Sequence, residues 1–258
     1  TDTLVLATTG NNTMVLRGIE KLTLTSAATG TQTINSADSA IAVTAEVAGN
    51  DVKLADLTAG STVKVETEAN AATKTAKDVT VGFKAVEAAS TINVSTGMTG
   101  ALTLSKITAA TVNLGAESNL GANINTSDVQ SLTINATGAL STATGRDIAD
   151  STATDVLKTV TVTGTDLVKV GTVTSTVMET VNVTAAKALT VGDIGGNSEK
   201  LDSVTLTATA GALAMGNIGK TTGTNTLDVT INAKDAITVT GGAIESTKVF
   251  SISFISSI

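Results

Sequence analysis

A short alternation of apolar and hydroxyl-bearing residues returns along this chain about every 23 residues. One unit reads Met178-Glu179-Thr180-Val181-Asn182-Val183, then Ala188-Leu189-Thr190-Val191-Gly192-Asp193-Ile194. The next reads Leu201-Asp202-Ser203-Val204-Thr205-Leu206, then Ala212-Leu213-Ala214-Met215-Gly216-Asn217-Ile218. Further copies begin at Leu157, Leu132, Ile92 and Val229, and weaker ones at Leu22, Ile41, Val63 and Val112. The first segments are anchored at residues 22, 41, 63, 92, 112, 132, 160, 181, 204 and 229, ten units over 207 residues. The two longest gaps, 63 to 92 and 132 to 160, hold Glu66 to Asp78 and Arg146 to Lys158. Each gap is expected to form a protruding loop or a short helix.

Period-2 alternation places Val and Leu on one side of a strand and Thr, Asn or Ser on the other. A unit of two short strands cannot bury its own apolar side, whereas stacked neighbours about 4.8 Å apart bury it continuously. The expected fold is all-β, a parallel β-solenoid of about ten rungs forming a rod on the order of 50 Å long. Composition agrees. The chain has no Trp or Tyr and three Phe (Phe83, Phe250, Phe254), so its core is aliphatic and thin. It has no Pro, so each inner strand keeps the backbone N–H that the next rung needs. Tandem β-sandwich domains are the alternative, though sandwiches usually bring core aromatics and Pro-marked edges. A leucine-rich repeat would need an Asn ladder and a helical return that these units lack. We read residues 1–258 as one repetitive domain: 1–91 less regular, 92–244 clearest, 245–258 a C-terminal strand or export signal. The predicted inward column is Val160, Val162, Val181, Val183, Val204, Leu206, Val229 and Ile231.

The chemistry on offer is narrow. With no His and no Cys, the usual general base, thiol nucleophile and zinc ligands are missing, and no catalytic role is expected. The net charge of −7 gives no footprint for nucleic acid. There is no run of 18 apolar residues to insert into a membrane as a helix. Ala214 to Thr221 approaches a phosphate-binding loop, but Ala214 stands where the first Gly belongs and no helix should follow. Acidic residues gather at turns: Asp51 with Asp56, Asp193 with Glu199 and Asp202, and Asp147, Asp150 and Asp155. Oxygen-rich turns of this kind suit Ca²⁺, and Asp147, Asp150 and Asp155 form the candidate metal site. The competing reading is a set of solvated acidic turns. Asn-x-Ser/Thr triplets at Asn11, Asn93, Asn125, Asn135 and Asn182 arise readily by chance in a Thr-rich chain.

The Thr/Ala/Val/Asn/Gly bias, the lack of Cys and the units from Leu157 to Ile244 resemble surface-layer proteins of Gram-negative bacteria exported by type I secretion. The stretch from Lys248 to Ile258 resembles an uncleaved export signal of that route. The resemblance implies an extracellular, self-associating lattice protein at the cell surface, ordered by calcium. It also implies anchoring to cell-surface polysaccharide through a separate part of the protein. The family's G-G-x-G-x-D repeats are absent, so no calcium ligands carry over from it. The same rhythm occurs in stalk or passenger segments of secreted adhesins. A third expectation comes from the triplets Thr161-Val162-Thr163, Thr205-Leu206-Thr207 and Thr238-Val239-Thr240, whose hydroxyls would array as on an ice- or crystal-surface binder.

Overall fold

The computed structural model describes residues 2–25, 27–28, 30–36, 39–67, 75–115, 118–120, 123–142, 147–150, 155–195, 198–220, 226–240, 244–246 and 251–256. Every strand pairing among them is parallel, and every described element is a strand, as the alternation requires. The chain coils as a β-solenoid.

The broadest face, face 1, carries twelve strands. Its ladder starts with Thr3–Leu6, Lys21–Leu24, Ala42–Val47 and Thr62–Thr67. It continues through the second halves of the long strands Val79–Val94 and Leu102–Leu114, which bend round a corner. Ser131–Ala136, Thr159–Gly164, Thr180–Ala185, Ser203–Ala208, Asp228–Ala233 and Ser251–Ser256 complete it. Rungs at Leu4 and Ile252 thus extend the ten units read from the sequence.

Face 2 begins with Asn12–Leu16, Thr31–Ser36 and Val52–Leu57 and continues through the first halves of the two long strands. It then shortens to Ile124–Ser127, Ile148–Asp150, Val173–Thr174, a single bridge at Ile194, Ile218–Lys220 and Ile244–Ser246. Face 3 consists of two- and three-residue strands and, among the described residues, runs from Thr75–Ala76 to Ile237–Val239. The clearest repeat units, those beginning at Met178 and Leu201, map onto the coil in order. In each, the first segment is face 1, the second is face 3, and the closing Ile is face 2.

The interior is a set of stacked aliphatic columns. Leu22, Val43, Val63, Ile92, Val112, Ile134, Val162, Val183, Leu206 and Ile231 follow one another in register, none more than 1 % exposed. All eight residues of the predicted inward column are buried. The buried side chains of Gln32, Ser61 and Ser118 are matched. Gln32 donates from Nε2 to the Gly10 carbonyl at 3.1 Å and accepts from Asn12 Nδ2 at 3.2 Å. The hydroxyls of Ser61 and Ser118 accept the backbone N–H of Ile41 and Met98 on a neighbouring rung. At the corner after face 1, a Cβ on Gly115 would lie 2.6 Å from the Ser95 carbonyl oxygen, so rung spacing itself demands glycine there.

The long gaps hold no helix among their described residues. Thr75–Ala76 and Ile148–Asp150 are strands, and residues 68–74, 143–146 and 151–154 lie outside the described set. The stretch resembling a phosphate loop is strand Leu213–Met215, a turn at Gly216–Asn217, and strand Ile218–Lys220, with Thr221 outside the described residues.

Candidate functional surface

The outward side chains of face 1 form three rows: Ser131, Thr159, Thr180, Ser203 and Asp228 line the leading margin, and two ladders follow it. One runs Thr62, Thr91, Thr111, Thr133, Thr161, Asn182, Thr205, Thr230; the other runs Lys64, Asn93, Asn113, Asn135, Thr163, Thr184, Thr207, Asn232. Parallel in-register pairing puts like on like at about 4.8 Å, the spacing at which amides bond along a column. Asn113 Nδ2 donates to Asn93 Oδ1 at 2.8 Å, and Asn135 Nδ2 donates to Asn113 Oδ1 at 2.9 Å. From Thr91 to Asn232 the face-1 strands carry one ionisable side chain, Asp228, at the margin.

Charge collects at the corners instead. Before face 1, Lys158 Nζ lies 3.6 Å from Glu179 Oε1, and Asp202 occupies the next rung. After face 1, Lys187 Nζ donates to Asp166 Oδ2 at 2.7 Å, with Lys234 and Asp235 above. That ammonium, together with the Leu167 backbone N–H, holds the Asp166 carboxyl below its usual range.

A third set of polar side chains caps the start of face 2. Asp51 Oδ1 accepts the N–H of Asp78, and Asp78 Oδ1 accepts that of Ala101. Asn123 Oδ1 accepts the N–H of Asp147, Asp147 Oδ1 accepts that of Thr172, and Asp193 Oδ1 accepts that of Asn217. Each cap reaches one rung up the stack and satisfies a donor where the strand has not yet begun. Burial raises the pKa of Asp51, but the Lys53 ammonium at 3.1 Å and the Asp78 N–H outweigh it and leave a net lowering.

The candidate metal residues fall within this scheme. Asp147 is a cap. Asp155 Oδ2 accepts the N–H of Thr176 at 2.6 Å. The N–H groups these two carboxylates hold, of Thr172 and Thr176, flank the strand Val173–Thr174, so the two acids sit at opposite ends of one step. Asp150 ends strand Ile148–Asp150, and its side chain lies outside the described residues. Among the described residues, no three Asp or Glu side chains converge to supply the oxygens of a calcium site within the chain.

The three Thr triplets are divided between faces. Thr161, Thr163, Thr205 and Thr207 share face 1, whereas Thr238 stands in the face-3 row with Lys169, Thr190 and Ala214. A shallow notch of about 240 Å³ at the N-terminal rungs, lined by Gly30, Gly49, Asn50, Asp51 and Lys77, offers one carboxylate and one ammonium.

Sequence reasoning grouped the acids by proximity and missed the caps. Their signal is an Asp or Asn directly before the first inward Val or Ile of face 2: Asp51-Val52, Asp78-Val79, Asn123-Ile124, Asp147-Ile148 and Asp193-Ile194. Comparison with family models, curated proteins and solved structures finds no match to this chain.

Proposed function

We propose that this chain is a non-catalytic structural subunit of a bacterial cell-surface layer, acting outside the cell by associating with copies of itself. The observation that carries the proposal is the outer surface of face 1, a regular Thr/Asn array nearly free of charge on a chain of net charge −7. Protein surfaces keep charge for solubility, and its depletion from one regular patch marks a surface made to be covered. Calcium enters this proposal as a bridge between subunits. Asp147 and Asp155 each give one oxygen to a backbone N–H, and a carboxylate so held has a second oxygen with which to bind a cation shared between subunits.

Electron microscopy of the purified protein with and without calcium, and of the cell that makes it, tests the reading. A two-dimensional array is the expected result. Isolated rods at every concentration would replace it with the adhesin-stalk reading. The Thr62-to-Thr230 ladder favours a second reading, because seven of its eight positions are Thr at one spacing. An ordered hydroxyl row of that length can match a crystal surface, ice included. Thermal hysteresis of the freezing point in a soluble, monomeric preparation would establish that reading.

A further inference from the structure

The corners flanking face 1 carry charges whose order specifies how two copies would meet. On the leading corner, Lys158 and Glu179 occupy successive rungs; on the trailing corner of the same rungs stand Asp166 and Lys187. The signs are inverted between the two corners, rung for rung. We propose that face 1, from Thr91 to Asn232, is a self-association surface that pairs with a second copy about a two-fold axis parallel to the stack.

That the chain associates with itself at all rests on the surface-layer reading; the orientation follows from the geometry of the corners. Rotation by 180° about such an axis keeps both stacks running the same way and brings each leading corner against the partner's trailing corner. Lys158 then faces the partner's Asp166, and Glu179 faces the partner's Lys187. Each of the four charges gains an opposite neighbour across the interface while keeping the one it has within its own chain, an alternating square that occurs twice by symmetry. A two-fold axis along the strands instead sets the leading corner against itself in reverse: Glu179 meets Glu179 when the pairing centres on that rung, and Lys158 meets Glu179 when it centres between the two rungs. Like charges cost free energy and select against the first register. The second lays Lys158 close to its own copy, which cross-linking of Lys158→Cys alone distinguishes from the parallel axis.

Between the corners the surfaces are self-complementary. Under the parallel two-fold, the Thr161, Asn182 and Thr205 ladder lies over the partner's Thr163, Thr184 and Thr207 ladder at the same heights. Hydroxyls and amides both donate and accept, so the same groups can satisfy one another across the contact. Seven rungs at about 4.8 Å and a strand width of about 20 Å give roughly 650 Å² per copy. The total of roughly 1,300 Å² falls within the range of stable specific interfaces. On a chain of net charge −7, face 1 is also where two copies approach without direct repulsion.

The test compares Thr184→Lys, at the centre of face 1, with Thr190→Lys, an exposed face-3 position, by sedimentation equilibrium. Both should melt like the wild type by circular dichroism. The wild type and Thr190→Lys should dimerise, and Thr184→Lys should weaken the dimer by about tenfold or more. Orientation is read separately. The chain has no Cys, so Lys158→Cys/Asp166→Cys with a short bismaleimide should cross-link two chains efficiently, and Lys158→Cys alone poorly. Equal cross-linking by the single variant would overturn the parallel axis. Assembly insensitive to Thr184→Lys would overturn face 1 as the contact and leave the surface-layer reading standing. A protein that stays monomeric at all concentrations, with or without calcium, would remove both. Thermal hysteresis abolished by Thr184→Lys in that monomer would assign the face to a crystal surface.

Discussion

Replacing Val183 by Asp tests the rung register directly. Val183 is fully buried between Val162 below and Leu206 above. Removing its side chain from the core forfeits about 1.5–3 kcal/mol. The carboxyl that replaces it has aliphatic neighbours on both rungs and takes up a proton. Staying neutral at pH 7, about three units above the ordinary Asp pKa, costs about 4 kcal/mol by linkage, a ceiling that any larger upward shift leaves unchanged. The sum, about 5–7 kcal/mol, rivals the whole stability of an ordinary domain. Asn182→Asp, one residue away, places its charge on the outer surface between Thr161 and Thr205 and should change stability by about 0.5 kcal/mol or less. Urea unfolding followed by far-ultraviolet circular dichroism is the assay, since a chain without Trp or Tyr lacks useful intrinsic fluorescence. The Val183→Asp midpoint should fall by about 1 M or more. It should also split into two transitions as the rungs on either side uncouple. Equal midpoints for the two variants would refute the register, because a one-residue slip exchanges inside and outside.

Three further outcomes follow from the hydrogen-bond ladders and the rung contacts. Asp147→Ala should cost about 1 kcal/mol through the stranded Thr172 N–H, whereas Asp147→Asn, which keeps the acceptor as Asn123 does, should cost little; thermal melts of both decide. Gly115→Ala should destabilise by about 1–3 kcal/mol, because its methyl meets the Ser95 carbonyl and the rung must shift; the same melts with Gly→Ala at an exposed, uncrowded turn serve as reference. Asp51 has a lowered folded pKa, so its contribution is present above the unfolded value of 3.8 and is lost as pH falls through the folded one. The stability gap between wild type and Asp51→Asn should therefore close on acidification below about pH 4, and it should be small and salt-sensitive for so exposed a group.

The solenoid was legible because alternation, turn glycines and the lack of Pro all describe one stacked geometry. Its errors of register and of face share one source. Period-2 patterning distinguishes inside from outside but cannot see a slip of two. Val43, not Ile41, stacks on Leu22, and Ile134, not Leu132, stacks on Val112. The same blindness put Thr238 with Thr161 and Thr205, since alternation does not say which face a strand belongs to. The strands Asn12–Leu16 and Thr31–Ser36 of face 2 were unread because Asn12 and Gln32 break the apolar pattern with a half-buried amide pair. The caps were unread because their spacing, 27, 23 and 24 residues in three steps, follows the rung lengths and not a fixed period.

The rung-to-rung hydrogen bonds of all three faces point along the stack, and this decides how the rod would answer force. Tension along the axis loads one rung's bonds at a time, so the coil peels from an end and does not fail as a whole. Each rung of about 23 residues pays out about 75 Å of extended chain in exchange for one 4.8 Å step. A stretched rod would lengthen in a sawtooth of such increments, dissipating work at each tooth. A shell built from these rods would yield rung by rung under swelling where a sheet of rigid blocks would crack.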